Sequence, residues 1–204
     1  MRKPDIVLAS SSPRRKEILE MLGVRFRVIT SGADENISGA VSPEDYVRQA
    51  AQKKNEAVLA ILKKDGLLLE NTLVIACDTV VVYNGVVIGK PPDTSHAILT
   101  LGMLSDSWHS VFSGLSVYFR GRICGDAART DVKFRELSYE EIFYYVESGE
   151  PMGKAGSYAI QQKGASFVER IEGDFYNVVG LPVAALFSLL SSEFGIRATD
   201  IMNY

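Results

Sequence analysis

Asp78 stands inside LVIACDTVVVY (73–83), an otherwise apolar β run. A carboxylate in such a run costs several kcal/mol unless it is paired or bound to a metal. Two functional roles suit it, metal ligand or general base facing a cleft, and one structural role, a strand aspartate bonded to neighbouring backbone. Thr79 is then expected across the pleat or at the strand end. Arg14 and Arg15 follow Pro13 in LASSSPRRKEIL (8–19), at the start of a helix. The helix dipole makes each unfavourable there by up to about 1 kcal/mol unless an anion arrives, which suggests phosphate; the alternative is that both point to solvent or pair with distant carboxylates. Lys90 in VVIGKPP (86–92) has neither the spacing nor the Ser/Thr of a P-loop, and is either a phosphate-facing cation or a solvated lysine. Lys53 and Lys54 are adjacent on a helix, so at most one faces a given cleft. Glu35 and Asp34 lie in a polar loop (32–41). Separated cations together with carboxylates suit a phosphate ester with a divalent metal.

Other chemistries find little support. The two histidines, His96 and His109, read as helix-surface and strand-start residues, and neither G-x-S-x-G nor H-E-x-x-H occurs. Cys77 and Cys124 lack CxxC spacing and are assigned neither metal nor disulfide. A net charge of −3 argues against a nucleic-acid partner, leaving a small phosphate ligand. The apolar run Ile6–Ala9 is too short for a signal-peptide core, so a cytosolic protein is expected. The longest apolar stretch, Val178–Leu190, is interrupted by Gly180, Pro182 and Ser188; it reads as a core strand-turn-helix and no membrane span.

The elements that must position these residues alternate between β-branched runs and amphipathic stretches, the pattern of an α/β fold. Strands are expected at Ile6–Ser10, Arg25–Ser31, Leu73–Tyr83, Val86–Ile88 and His109–Phe119, and, after a turn at Arg120–Arg122, as a return strand reaching Leu137. Asn84-Gly85 predicts a tight hairpin, and hairpins make the sheet mixed. Helices are expected from Pro13 to Gly23, Pro43 to about Lys63, about Asp93 to Leu104, Ser138 to Gly149, and Pro182 to Gly195, all but the third marked by a cap, first-turn proline or terminal glycine. Residues 150–182 are glycine-rich with short β runs. No linker or repeat divides the 204 residues, and one domain is expected.

The motifs SSSPRR (10–15), ACDT (76–79), GKP (89–91), HSVFSG (109–114), GKAGSYAIQ (153–161) and GASFVERIEGDFYNVVGLP (164–182) together resemble the Maf family of nucleotide pyrophosphatases. The resemblance implies an elongated mixed sheet flanked by helices in two lobes around a cleft, similar to inosine-triphosphate pyrophosphatases. It implies Mg²⁺- or Mn²⁺-dependent hydrolysis of a nucleoside triphosphate to the monophosphate and pyrophosphate. Asp78 would accept the proton of the attacking water, directly or through the metal, and Glu35 would help hold that metal. Ser10, Arg14, Arg15, Lys54 and Lys90 match substrate-binding positions on the phosphate side, where cations neutralise charge on the leaving pyrophosphate.

Specificity positions carry Arg14, Thr79 and Gln161, as in members similar to this chain that act on dTTP and UTP; 7-methyl-GTP-specific members carry Trp, Gln and Glu. A glutamine amide donates and accepts, so Gln161 matches the O4 and N3–H edge of uracil or thymine. Modified pyrimidine nucleotides stay open as substrates, as does a homodimer. Gly153, Gln162 and Ser113 depart from the family pattern without removing a proposed site residue. The alternatives are a 7-methyl-GTP pyrophosphatase and a nucleotide-binding regulator of cell division with little turnover.

Overall fold

The computed structural model describes residues 3–32, 37 and 41–202. Its strands are β1 (Asp5–Leu8), β2 (Phe26–Val28), β3 (Thr72–Tyr83), β4 (Val86–Ile88), β5 (Trp108–Phe119), β6 (Arg122–Phe134) and β7 (Val168–Glu172). They form one mixed sheet in the order β2-β1-β3-β5-β6-β7, with β4 paired to β3. β1 runs parallel to both β2 and β3, with Ile6 beside Leu73 and Leu8 beside Ile75. Strands in such a parallel core are covered on both faces, which is why IVL and LVI read as continuous apolar runs. β4 and β7 add antiparallel edges. Both tight turns, Asn84-Gly85 and Arg120-Gly121, have positive φ at both residues, the geometry whose twist matches paired strands.

The helices are α1 (Pro13–Met21), α2 (Pro43–Lys64), α3 (Thr94–Leu104), α4 (Tyr139–Glu147), α5 (Phe175–Val179), α6 (Val183–Phe194) and α7 (Ala198–Ile201). Their starts follow the sequence signals. Ser42 accepts from the Asp45 amide and Asp93 from the His96 amide, and Ser138 with Glu141 forms a capping box. Gly195, at φ 64°, closes α6 in the left-handed conformation. Among the described residues no helix is long and apolar enough to cross a membrane.

Several expectations need correction. β1 and β2 are shorter than read, and β6 stops at Phe134. The stretch from Val178 contains no strand: it is the end of α5, a Gly180-Leu181-Pro182 turn, then α6. Residues 150–167 hold two 3₁₀ turns, Ala155–Ser157 and Lys163–Phe167, and β7 is the one strand of the glycine-rich region.

The described residues group into two compact units, one from 1–78, 113–128 and 180–204, the other from 79–112 and 129–179. In the first, α2 lays Val58 and Leu62 on Val7, Ala9, Val74 and Ala76. Each such buried valine or leucine contributes about 1.5–3 kcal/mol. The helix lies so close that a Cβ on Gly114 of β5 would sit 2.2 Å from the Val47 carbonyl oxygen. In the second unit Phe134 meets His109, Tyr158 and Phe167 edge-on, with centroids 4.9, 4.8 and 5.9 Å away.

Candidate active site

In the first unit the strand aspartate has its partner. Lys54 Nζ of α2 donates to Asp78 Oδ1 of β3 at 2.6 Å, with the two side chains 12% and 14% exposed. The rotation of α2 that presents Lys54 is fixed one residue on by Asn55. Its side-chain Nδ2 donates to the carbonyls of Ser116 at 2.8 Å and Val74 at 3.4 Å. Lys53, one step round the helix, is exposed, as the spacing requires. Sequence reasoning missed Asn55, although it falls on the buried stripe Val47, Ala51, Val58, Leu62, where an amide needs a reason.

The segment after β1 gathers the other cations. Arg15 is buried; its Nε donates to the Gly180 carbonyl at 2.8 Å and one terminal nitrogen to Ser10 Oγ at 3.0 Å. Ser10 Oγ also accepts from the Ser12 amide at 3.2 Å, bending the chain into α1. Cys77 Sγ donates to the same Gly180 carbonyl, so β3, α1 and the turn before α6 meet there. Gly180 itself has φ 123°, which a side chain would strain. These two bonds tie the loop after β1 to the turn before α6, a fastening the sequence did not anticipate. Arg14 is partly buried, and its pKa is lowered first by desolvation and then by the like charge of Arg15, with Glu17 opposing. Ser12 makes no side-chain cap bond to α1. A helix start carrying desolvated positive charge is favourable ground for an anion.

The second unit holds Thr79, Lys90 and Gln161. Thr79 is mid-strand in β3, not at its end, and half-buried. Lys90 is exposed beyond β4, in a loop fastened by the Gly156 amide donating to the Gly89 carbonyl. Gln161 is half-buried as a residue, yet among the described residues neither Nε2 nor Oε1 has a hydrogen-bond partner, although both atoms are buried. A buried amide left unmade costs about 1–3 kcal/mol, so this one is suited to a ligand's donor and acceptor pair. His109 lies at the start of β5, as read, but it is buried: its Nε2 is 2.8 Å from the Tyr158 hydroxyl, and desolvation lowers its pKa to about 4.

Glu35 lies outside the described residues. Among those described, no three His, Cys, Asp or Glu side chains converge to hold a metal ion.

An open mixed sheet flanked by helices, joined to a partly buried strand carboxylate and a cationic helix start, defines an α/β protein suited to binding phosphates. The solved structure of the Staphylococcus aureus Ham1 protein shares this fold, with a TM-score of 0.51 and 17% identity over 93% of this chain and 99% of that one. The chain belongs to the Maf-like protein family, whose model matches residues 5–193. It is 44% identical over 193 residues to a protein of Pelotomaculum thermopropionicum named dTTP/UTP pyrophosphatase, covering 94% of this chain and 97% of that one. Relatives of the same name from Dictyoglomus turgidum and Bacillus cereus are 46% and 43% identical, over 96% and 98% of this chain and 98% and 99% of theirs.

Proposed function

We propose that this protein is a cytosolic, single-domain nucleoside triphosphate pyrophosphatase that hydrolyses dTTP and UTP to the monophosphate and pyrophosphate. The observation that carries the reading is the Lys54–Asp78 pair, a desolvated carboxylate held by a lysine inside an apolar strand, in a chain similar along its length to relatives of that name. A carboxylate kept there at a cost to stability is suited to accepting a proton.

In the reaction, a water oxygen forms a bond to the α-phosphorus and the bond from that phosphorus to the α,β-bridging oxygen breaks. Asp78 takes the proton of the water, and pyrophosphate leaves. Lys54 fixes the orientation of the Asp78 carboxylate through Oδ1. Arg14 and Lys90 stabilise charge on the departing phosphates, while Arg15 and Ser10 hold the loop that carries Arg14. Gln161 offers its amide to the base edge, with Thr79 and Arg14 completing the pyrimidine preference. Magnesium is usually held by one or two carboxylates plus substrate phosphates, and Asp78 and Glu35 would be the residues to hold a Mg²⁺ or Mn²⁺ ion, which would neutralise phosphate charge.

The test is pyrophosphate release across dTTP, UTP, CTP, the purine triphosphates and 7-methyl-GTP. Turnover concentrated on dTTP and UTP is expected. Activity confined to 7-methyl-GTP would overturn the specificity reading, and binding of nucleotides without turnover would leave a regulator.

A further inference from the structure

Gln161 sits at the middle of a turn whose two ends converge on the buried Tyr145 and the half-buried Glu150. The Tyr145 hydroxyl of α4 accepts from the Ala159 amide at 3.2 Å and donates to Glu150 Oε1 at 3.0 Å. The same Oε1 accepts from the Gly164 amide at 3.1 Å, and Oε2 accepts from the Lys163 amide at 3.2 Å. The anchors therefore lie two residues before Gln161 and two and three residues after it. The turn closes tightly over the phenol: a Cβ on Gly164 would be 2.8 Å from the Ala159 carbonyl oxygen and 3.0 Å from the Tyr145 hydroxyl. Tyr145 is itself 5% exposed and packs edge-on against Phe167 at 4.8 Å. Burial and the adjacent Glu150 carboxylate raise its pKa, so the hydroxyl keeps its proton and remains a donor.

Glu150 is placed for this by Gly149, at φ 73°, which turns the chain back after α4. Its backbone carbonyl accepts from Lys154 Nζ, fastening the start of the glycine-rich segment as well. A carboxylate accepting two amide bonds from the turn and a third from the Tyr145 hydroxyl of α4 is a specific support, because charged acceptors make the stronger hydrogen bonds. Meanwhile the Gln161 amide, between the anchors, has no protein partner among the described residues to hold it in place. Its position is therefore set through the backbone of the turn.

We infer that Glu150 and Tyr145 are positioning residues for Gln161, which hold its amide at the depth where it meets a pyrimidine base. The inference rests on the reading of Gln161 as the base-facing residue. Neither side chain takes part in proton transfer or touches the phosphates, so their loss acts on substrate binding and not on the chemical step.

The experiment measures kcat and KM for UTP in the full chain carrying Tyr145→Phe, Glu150→Gln, Gln161→Ala, and each of the first two combined with Gln161→Ala. Tyr145→Phe keeps the ring and removes only the hydroxyl; Glu150→Gln puts a donor against one of the two amide groups. Each is expected to raise KM about five- to tenfold with kcat changed less than about threefold, the signature of lost uniform binding. In the Gln161→Ala background the same substitutions are expected to change KM less than about twofold, because they act through the missing amide. A lowered melting temperature alone does not support the inference, since a purely structural role lowers it too. Unchanged KM in both single variants overturns it, as does an equal rise in KM with and without Gln161. Wild-type protein that does not hydrolyse UTP rejects the proposed function itself. Wild-type turnover with a Gln161→Ala variant of normal KM removes Gln161 from the base site, and this inference with it.

Discussion

Replacing Lys54 by methionine leaves the Asp78 carboxylate 14% exposed with its nearest cation gone. At 2.6 Å and an effective dielectric of about 20 the gross attraction is on the order of 6 kcal/mol, offset by desolvation of both charges. The net cost of Lys54→Met is expected to be about 3 kcal/mol, towards the lower end for a broken buried pair because both side chains keep some contact with water. Asp78→Asn leaves the ammonium a neutral acceptor and is expected to cost about 1–2 kcal/mol. The double variant should be less destabilised than the sum by about 2 kcal/mol, read from urea unfolding of all four proteins. Lys54→Met combined with Asp78→Leu, which fills the site with apolar atoms, should be neutral or more stable than wild type by about 1 kcal/mol or more. That last outcome marks a pair retained for chemistry. A coupling below about 0.5 kcal/mol, the ordinary additivity error, would refute the reasoning, because the pair would then not form in solution.

Two further outcomes follow from the packing. Gly114→Ala places a Cβ against the backbone of Val47 and Arg48, at 2.2 and 2.6 Å, where no side chain can swing away. It should destabilise by about 3 kcal/mol, near the upper end for overpacking, lowering the melting temperature by about 6 °C or more; a fall under about 2 °C contradicts the close approach of α2. His109 titrates near 4 in the fold and near 6.5 when unfolded, so the unfolded chain binds more protons between those values. Its contribution is complete above pH 6.5 and is lost as the pH falls to 4, by about 3 kcal/mol in all. Unfolding measured at pH 7, 5.5 and 4.5 should show that decline in wild type and a shallower one in His109→Leu; equal slopes would contradict the burial.

What the sequence made legible was local. Asn84-Gly85 encodes its own turn, Ser138 and Glu141 their own cap, and Gly195 its own helix end, because the groups that satisfy each lie within a few residues. Asp78 was legible as an anomaly against apolar neighbours, and Lys54 became its partner only through the folding of α2 onto β3. The residues that were missed are defined by distant partners. The stretch from Val178 reads as opening with a strand, yet Val178 and Val179 end a helix, α5, whose Asn177 Nδ2 donates to the Val111 carbonyl and Thr130 Oγ1. His109 is buried by Tyr158, forty-nine residues on. Glu150 carries no local signal, and Tyr145, Lys163 and Gly164 converge on it only in the fold. The two arginines looked equivalent, and the bonds of Arg15 to the Gly180 carbonyl and Ser10, both made through the fold, were not legible.

The central claim is that Asp78 accepts the proton in UTP hydrolysis, and it is tested most directly by single-turnover release of UMP and pyrophosphate from UTP by wild type and Asp78→Asn, with UTP binding measured alongside. The account predicts that the variant loses at least about a hundredfold in rate while its affinity for UTP stays within about threefold. An Asp78→Asn protein that still turns over UTP at near the wild-type rate would contradict it.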